Sequence, residues 1–159
     1  MEPFCIIIRG PPAVGKSTIA KQLAAEIPNT VHVDIDRLKH MISLQSSVPR
    51  TEIAHDVAKY FMKRLIQHKY NIVVEELFKE KHLRPISSIL KKAGYRTTQV
   101  FLTAPTKVAL KRNSEREKNK EEEIVLALHK EITPRDDDII IDTAKSSIKQ
   151  SVARIKRAI

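Results

Sequence analysis

The sequence predicts a single α/β domain in which helices cover both faces of a parallel β-sheet. Five short apolar runs, rich in β-branched residues, recur along the 159 residues. Several of these runs lack the polar–apolar alternation of a half-exposed strand, which is typical of strands buried on both faces. Stretches with helical apolar spacing separate them, and strands that alternate with helices indicate a parallel sheet. The predicted strands are residues 4–8, 30–33, 71–74, 97–102 and 138–141.

The first strand leads into the most informative segment of the chain. Residues 10–17 match the phosphate-binding pattern G-x-x-x-x-G-K-[ST]. Two of the chain's three glycines, Gly10 and Gly15, lie in this segment, where they permit backbone angles and close approaches that a Cβ would block. The backbone N–H groups at the start of the helix that follows attract anions. The alternative is a chance glycine turn, which the flanking strand and helix disfavour.

This loop predicts that the chain binds ATP together with Mg²⁺. We expect Lys16 to reach the β- and γ-phosphates and the Ser17 hydroxyl to bind Mg²⁺. The residues predicted to contact the nucleotide from this segment are Gly10, Pro11, Pro12, Ala13, Val14, Gly15, Lys16, Ser17 and Thr18.

Two carboxylates follow the second strand. Asp34 and Asp36 come where a parallel strand ends, and α/β folds bind ligands in the crevice at that edge. A carboxylate there can accept a proton from a substrate hydroxyl or hold Mg²⁺. We predict both roles for Asp34, and a catalytic or substrate-binding role for Asp36. The alternative for Asp36 is that it caps a helix starting at Arg37.

Glu75 and Glu76 follow the third strand in the same way. In a protein with a phosphate-binding loop they are candidates to hold the metal or to position water, and Glu76 is also a candidate to contact the substrate. The alternative is a strand end with solvated charges. The six histidines are scattered through the sequence and show no metal-ligand spacing, so no histidine metal site is predicted.

The sequence of residues 105–131 predicts a helical hairpin that acts as a lid. Proline favours the first turn of a helix, so a helix is expected from Pro105 to about Lys118. Asn119 with a glutamate three residues later resembles a capping box at the start of a second helix. Arg112 and Arg116 share one face of the first helix and are predicted to neutralise charge during phosphoryl transfer. The alternative is a solvated, charged helix face.

The composition restricts the class of protein. A net charge of +10 favours polyanionic partners such as nucleotides, phosphorylated metabolites or RNA, although a lysine-rich surface that serves solubility is an equally good explanation. Cys5 is the only cysteine, which excludes an intramolecular disulfide. There is no apolar run of about 20 residues that would span a membrane and no signal-peptide pattern at the start. The expectation is a cytoplasmic protein that does not bind membranes.

With these residues in place, the whole chain resembles the small P-loop kinases of the nucleoside-monophosphate-kinase-like group. It is similar to the polynucleotide-kinase-like and chloramphenicol-phosphotransferase-like members of that group. The resemblance implies a five-stranded parallel sheet in the order 2-3-1-4-5 with a helical lid. The segments that carry it are residues 10–18, 33–37, 111–116 and 138–143.

The resemblance leaves the identity of the catalytic base open. Asp34 matches the general base of the polynucleotide-kinase-like pattern, and Arg37 matches a neighbouring arginine on the substrate side. Asp34 and Asp36 together also resemble the D-x-D of shikimate kinases, in which the second aspartate is the base. Glu75 and Glu76 depart from the group, which often has aspartate at that point.

On the lid side, Arg112 and Arg116 match lid arginines, and Thr143 lies where the adenine-side loop of the group begins. The predicted function is an ATP- and Mg²⁺-dependent phosphotransferase that acts on a hydroxyl or phosphate acceptor, either a small metabolite, a nucleotide, or an RNA or DNA end. The alternative is a P-loop NTPase that couples hydrolysis to a protein or RNA partner. The acceptor, the choice between ATP and GTP, and the oligomeric state stay open.

Overall fold

The computed structural model describes residues 2–117 and 119–159. Its centre is a sheet of five parallel strands in the order β2-β3-β1-β4-β5, which confirms the predicted α/β fold and strand order. The strands are β1 (Phe4–Arg9), β2 (Thr30–Asp34), β3 (Asn71–Glu75), β4 (Arg96–Thr103) and β5 (Ile139–Asp142).

Helices cover both faces of this sheet. The helices are α1 (Lys16–Glu26), α2 (Ile35–Ile42), α3 (Val48–Gln67), α4 (Glu80–Lys92), α5 (Thr106–Ser114), α6 (Glu122–Glu131) and α7 (Ile148–Lys156). One hydrophobic cluster joins the sheet to α3 and α4, and a second joins it to α1 and α7. Within the described residues, none of these helices is long and apolar enough to cross a bilayer.

Strand β1 shows why the sequence folds in this way. All six of its residues are buried, as expected for a continuous apolar run at the centre of a parallel sheet. Because successive side chains of a strand point to opposite faces, Cys5 and Ile7 pack with α3 and α4, whereas Ile6 and Ile8 pack with α1 and α7.

The register of the sheet positions the functional edge. Glu75, the last residue of β3, pairs with Asp34 of β2 on one side and with Ile8 of β1 on the other. The phosphate-binding loop that follows β1 therefore leaves the sheet beside both carboxylates. The neighbours of β1 are β3 and β4, and connections that run to opposite sides of a strand open a crevice at its carboxyl end.

The helical hairpin differs in detail from the prediction. Helix α5 ends at Ser114, and the predicted end near Lys118 lies outside the described residues. Asn119 does not cap the second helix, because α6 begins at Glu122 after Glu121 and has no side-chain cap. Instead, the buried Asn113 side chain bonds both the N–H and the C=O of Lys120, at 3.0 and 2.7 Å. The turn between the two helices is thus fixed from α5.

One buried ion pair that the sequence did not indicate ties the segment after α6 to the sheet. Arg9, at the end of β1, donates to Asp138 at 2.8 Å and to the carbonyl of Thr133 at 3.0 Å. Its guanidinium also lies over the Phe101 ring, 5.3 Å from the centroid. In the structure Asp138 is the buried partner of Arg9.

We predict that Gly10→Ala destabilises the fold much more than Gly94→Ala. Both glycines have positive φ, +143° and +70°, so each alanine carries the strain of a left-handed backbone, about 1–2 kcal/mol. A Cβ at Gly10 would also lie 2.3 Å from the carbonyl oxygen of Leu102, whereas nothing lies within 4 Å of one at Gly94. Urea unfolding should show an additional loss of about 2 kcal/mol for Gly10→Ala. Equal losses would show that this contact can relax.

Candidate functional site

The loop after β1 adopts the conformation that its glycines permit. Gly10 and Gly15 have φ angles of +143° and +94°, and Ala13 between them also has a positive φ of +63°. Gly15 is the N-cap of α1 and provides no side-chain cap. The N–H groups of the first turn of α1 are therefore turned toward the loop, which is the arrangement that binds phosphate groups.

Lys16 is held inside this loop. Its ammonium donates to the carbonyls of Gly10 and Pro11, at 3.0 and 2.9 Å, and the residue is buried. Burial lowers the pKa of Lys16, and the carboxylates of Glu75 and Asp36 oppose that effect. The loop thus holds the Lys16 ammonium against its own backbone carbonyls, close enough to Glu75 and Asp36 for their negative charges to act on it.

A cavity of about 520 Å³ opens in front of the loop. Its walls come from the loop, α2, the turn into α3, the segment after β3, and α6. The structure brings most of the predicted site residues onto these walls. They are Pro12, Ala13, Gly15, Lys16, Ser17, Asp36, Glu75, Glu76 and Arg116.

A second cavity, of about 320 Å³, lies on the other side of the loop, beside α5 and α7. Asp34 and Arg37 border neither cavity, and Arg37 is exposed. Arg116 borders both. The predicted residues that line the second cavity are Ala13, Val14, Gly15, Thr18, Arg112, Arg116 and Thr143.

The two aspartates after β2 differ in their surroundings. Asp34 caps α2, because its Oδ1 accepts from the N–H of Arg37 at 2.9 Å. The alternative that Asp36 caps a helix starting at Arg37 is therefore wrong. The helix begins two residues earlier, at Ile35, and Asp36 lies in its first turn. Asp36 borders the main cavity, with 42% of its side chain exposed.

A compact polar group lies beside the loop serine. The Ser17 hydroxyl donates to Oε1 of Glu75 at 2.6 Å, and Nε2 of His32 lies 3.6 Å from the same oxygen. The donor atoms of His32, Asp34 and Glu75 all lie within 4.8 Å of one another. Burial and the neighbouring charge of Glu75 raise the pKa of Asp34, so the protein disfavours the ionised form of Asp34.

These donors fit a divalent cation. The Ser17 hydroxyl and the carboxylates of Glu75 and Asp34 are the oxygen ligands that Mg²⁺ takes, directly or through water. The sequence predicted Ser17 and Asp34 for this role. It missed His32, although His32 and Asp34 are two residues apart on a strand and therefore share a face.

A second polar network supports Asp36 from behind. The Lys39 ammonium lies 3.0 Å from Oδ1 of Asp36 and also donates to Oε1 of Glu76. Lys39 and Glu76 are both buried. Sequence reasoning missed Lys39, although its spacing of three residues from Asp36 on a helix was a usable signal.

Glu76 is engaged within the protein through both carboxylate oxygens. Besides Lys39, Nε2 of His55 lies 3.3 Å from Oε1, and the N–H of Phe78 donates to Oε2 at 3.2 Å. Burial alone would raise the pKa of Glu76, but the His55 contact and the charge of Lys39 lower it to about 2. This arrangement disfavours the predicted contact of Glu76 with the substrate and gives Glu76 a supporting position.

Arg112 links three segments around the second cavity. Its guanidinium donates to Oγ1 and to the carbonyl oxygen of Thr143, both at 2.9 Å. The Thr143 hydroxyl in turn donates to the carbonyl of Val14 in the loop at 2.8 Å. Helix α5, the segment after β5 and the phosphate-binding loop are thereby joined.

Helix α6 reaches the loop from the opposite side. Nε2 of His129 lies 3.0 Å from the carbonyl oxygen of Pro12. Lys79, just before α4, pairs with Glu131 at the end of α6, at 2.8 Å. Both hairpin helices therefore contact the parts of the chain that surround the cavities.

We predict that Glu76→Gln removes part of the acid sensitivity of the fold. Because the pKa of Glu76 falls from an ordinary 4.5 to about 2 on folding, its ionised form stabilises the fold above pH 4.5. That contribution, on the order of 3 kcal/mol, is lost as the pH falls from 4.5 toward 2. Urea unfolding should show a large loss for Glu76→Gln at pH 7 and a loss less than about half as large near pH 3. Glu26→Gln, which removes an exposed pair with Lys156, is the control, and an equal effect at both pH values would contradict the prediction.

Comparison with solved structures supports the fold. The tunicamycin resistance protein of Deinococcus radiodurans superposes with a TM-score of 0.74 at 20% identity, covering 98% of this chain and 95% of that chain. The APS kinase CysC of Mycobacterium tuberculosis, in complex with AMPPNP and APS, also gives a TM-score of 0.74, at 16% identity, with coverages of 98% and 96%. At these identities the likeness concerns the fold alone.

Comparison by sequence gives the family. The L-seryl-tRNA(Sec) kinase of Methanococcus maripaludis is 24% identical over 152 residues, which are 88% of this chain and 59% of that kinase. The chain thus spans little more than half the length of this curated relative. The resemblance to P-loop kinases is confirmed by these relatives, and the model of the Zeta toxin family matches residues 1–158. The chain belongs to the Zeta toxin family.

Proposed function

We propose that this chain is an ATP- and Mg²⁺-dependent phosphotransferase that moves the γ-phosphate to a hydroxyl acceptor. One observation carries the proposal. The same cavity is bordered by Lys16 and Ser17 of the phosphate-binding loop and by Asp36, whose side chain is half exposed. A phosphate donor and a proton acceptor therefore face one space, which is what transfer to a hydroxyl requires.

The loop and its neighbours account for nucleotide binding. The N–H groups at the start of α1 and the Lys16 ammonium bind the phosphates, and Thr18, Arg112 and Thr143 border the second cavity, where the nucleoside would lie. Ser17 would hold Mg²⁺, with Glu75 and Asp34 beside it. When bound, the metal neutralises phosphate charge.

Asp36 is the base that the geometry favours. Asp34 borders neither cavity and uses an oxygen to cap α2, whereas Asp36 faces the main cavity and is held by Lys39. Asp36 accepts the hydroxyl proton as the acceptor oxygen forms its bond to the γ-phosphorus. The bond from that phosphorus to the bridging oxygen breaks, and ADP leaves. Lys16 and Arg116 neutralise the charge that develops.

The hairpin of residues 105–131 is proposed as the lid. Arg116 borders both cavities and is exposed, so it can turn toward the transferring phosphate. Arg112 is already fixed on Thr143. We therefore infer different roles for the two arginines, with Arg112 joining the hairpin to the loop and Arg116 completing the site on closure.

The acceptor stays open between a small metabolite, a nucleotide and an RNA or DNA end. The net charge of +10 favours an anionic molecule, and the curated relative is named a kinase of a seryl-tRNA. A screen with γ-labelled ATP and a panel from these three classes tests the proposal. Transfer should need Mg²⁺ and should fall on the order of 10²-fold or more in Lys16→Ala. ATP hydrolysis that no acceptor stimulates would instead favour an NTPase that works on a partner.

We predict that Asp36→Asn lowers the rate of transfer by roughly 10²–10⁴-fold, the contribution of general acid–base catalysis. ATP affinity should be unchanged because the loop is untouched. Asp34→Asn is the matched comparison, since asparagine also caps helices, and its loss should be smaller and partly recovered at high Mg²⁺. Steady-state kinetics of both variants show which of the two aspartates is the base. A larger loss in Asp34→Asn would make Asp34 the base.

We predict that an ATP analogue with Mg²⁺ slows hydrogen exchange across residues 105–131. Closure of a lid removes exposed backbone from water, so protection should rise in α5 and α6 while the centre of β4 stays unchanged as an internal reference. Arg116→Gln should bind the analogue and show less of this added protection. Equal exchange in the hairpin with and without the analogue would show that it is a fixed part of the fold.

A further inference from the structure

His32 shares a sheet face with the acidic residues beside the loop. On β2, Val31 and Val33 pack into the cluster with α3 and α4, so His32 and Asp34 point to the opposite face. Asp34 pairs in register with Glu75 on β3. The strand geometry therefore assembles one imidazole and two carboxylates next to Ser17.

The charges of this group are offset only in part, by the buried Lys16 ammonium in the field of Glu75. Among residues 2–117 and 119–159, neither Asp34 nor Glu75 has an ion pair with a lysine or an arginine. The nearest basic nitrogen is Nε2 of His32, 3.6 Å from Glu75. That nitrogen is itself buried without a hydrogen-bond partner. Two poorly solvated carboxylates and an unpartnered imidazole nitrogen are the groups that a bound cation would satisfy together.

The donor set indicates the class of cation. Mg²⁺ and Ca²⁺ favour sites made entirely of oxygen ligands, whereas an imidazole nitrogen favours divalent first-row transition ions. The three donor atoms lie within 4.8 Å of one another, so small movements bring them to a single ion.

We propose that His32, Asp34 and Glu75 form a binding site for a divalent first-row transition cation, with Mn²⁺ as the ion to test. Binding at this site does not require catalysis. Its consequence for the enzyme, a preference for Mn²⁺ over Mg²⁺, rests on the proposed phosphotransferase function. The site lies directly against Ser17, through Glu75.

A second cluster of similar composition has a carboxylate that is already paired with a lysine. His55, Glu76 and His82 also bring three donor atoms within 4.8 Å, and their two imidazole rings are stacked at 3.8 Å. There, however, the Lys39 ammonium donates to Oε1 of Glu76, and His55 lies beside the same oxygen. The carboxylate is already neutralised, and the proposal therefore concerns the His32 group alone.

The test uses the nucleotide-free, full-length chain and Mn²⁺ alone. Titration followed by the electron paramagnetic resonance signal of free Mn²⁺ should show one site that Mg²⁺ displaces only at about tenfold or greater excess. Electron spin echo modulation of the bound ion should show coupling to a ¹⁴N nucleus, and ¹⁵N-histidine labelling should convert it to ¹⁵N coupling. His32→Gln should weaken Mn²⁺ binding by about 10- to 100-fold and abolish the coupling. His68→Gln, which changes an exposed histidine at the end of α3, should do neither.

Three outcomes overturn the proposal, and the third leaves the proposed function intact. Bound Mn²⁺ without nitrogen coupling would make His32 a mere neighbour of Glu75, and affinity that is unchanged in His32→Gln would place the ion elsewhere. If His32→Gln folds poorly, the presence or absence of ¹⁵N coupling in the histidine-labelled wild-type protein still tests whether a histidine binds the Mn²⁺ ion. Lys16→Ala separates this proposal from the proposed function, because it should lose phosphotransfer yet keep Mn²⁺ binding with nitrogen coupling. An enzyme active with Mg²⁺ that shows no such Mn²⁺ site would contradict the metal proposal alone.

Discussion

The geometry of the site depends on how closely the backbone at Gly10 passes the carbonyl of Leu102. This close approach leaves no room for a Cβ at Gly10. It lets the chain turn immediately after the central strand β1 and pass between the ends of β1 and β4. Because β1 is flanked by β3 and β4, the turn directs the loop N–H groups and Lys16 over the crevice. The carboxylates at the ends of β2 and β3 then face the loop without any long connection.

Under the proposed function, two successive glutamates separate a metal side of the crevice, at Glu75, from a base side, at Glu76. Glu75 faces Ser17 and His32, whereas Glu76 faces Lys39 and contacts the buried His55. Glu75 and Glu76 are both buried and contact different residues, although they are adjacent in sequence. The cost of burying Glu76 is offset by a paired cation and by hydrogen bonds, and that of Glu75 by the Ser17 hydroxyl and the nearby Lys16 ammonium.

The sequence predicted the fold and the loop because their signals are local. Apolar runs of strand length and two glycines at a fixed spacing can be recognised without knowing any contact. It did not predict the roles of Lys39, His55 and His32, because each role depends on which elements the strand order brings together. The capping residue is Asp34 and not Asp36, because helix α2 begins at Ile35, two residues before Arg37, and a local pattern leaves a helix boundary uncertain by one or two residues.

The place of transfer follows from the residues that the two cavities share. Ala13, Gly15 and Arg116 border both, so under the proposed function a nucleotide that lies along the loop would present its terminal phosphate to the main cavity at this common wall. The opposite wall of that cavity comes from the turn between α2 and α3. Residues Met41, Leu44 and Val48 around this turn are 71–76% exposed, and Val48 borders the cavity. Under the proposed function, an acceptor in the main cavity would meet this turn through Ser46, Ser47 and Val48, whereas the loop and the two glutamates would supply chemistry that does not depend on the acceptor.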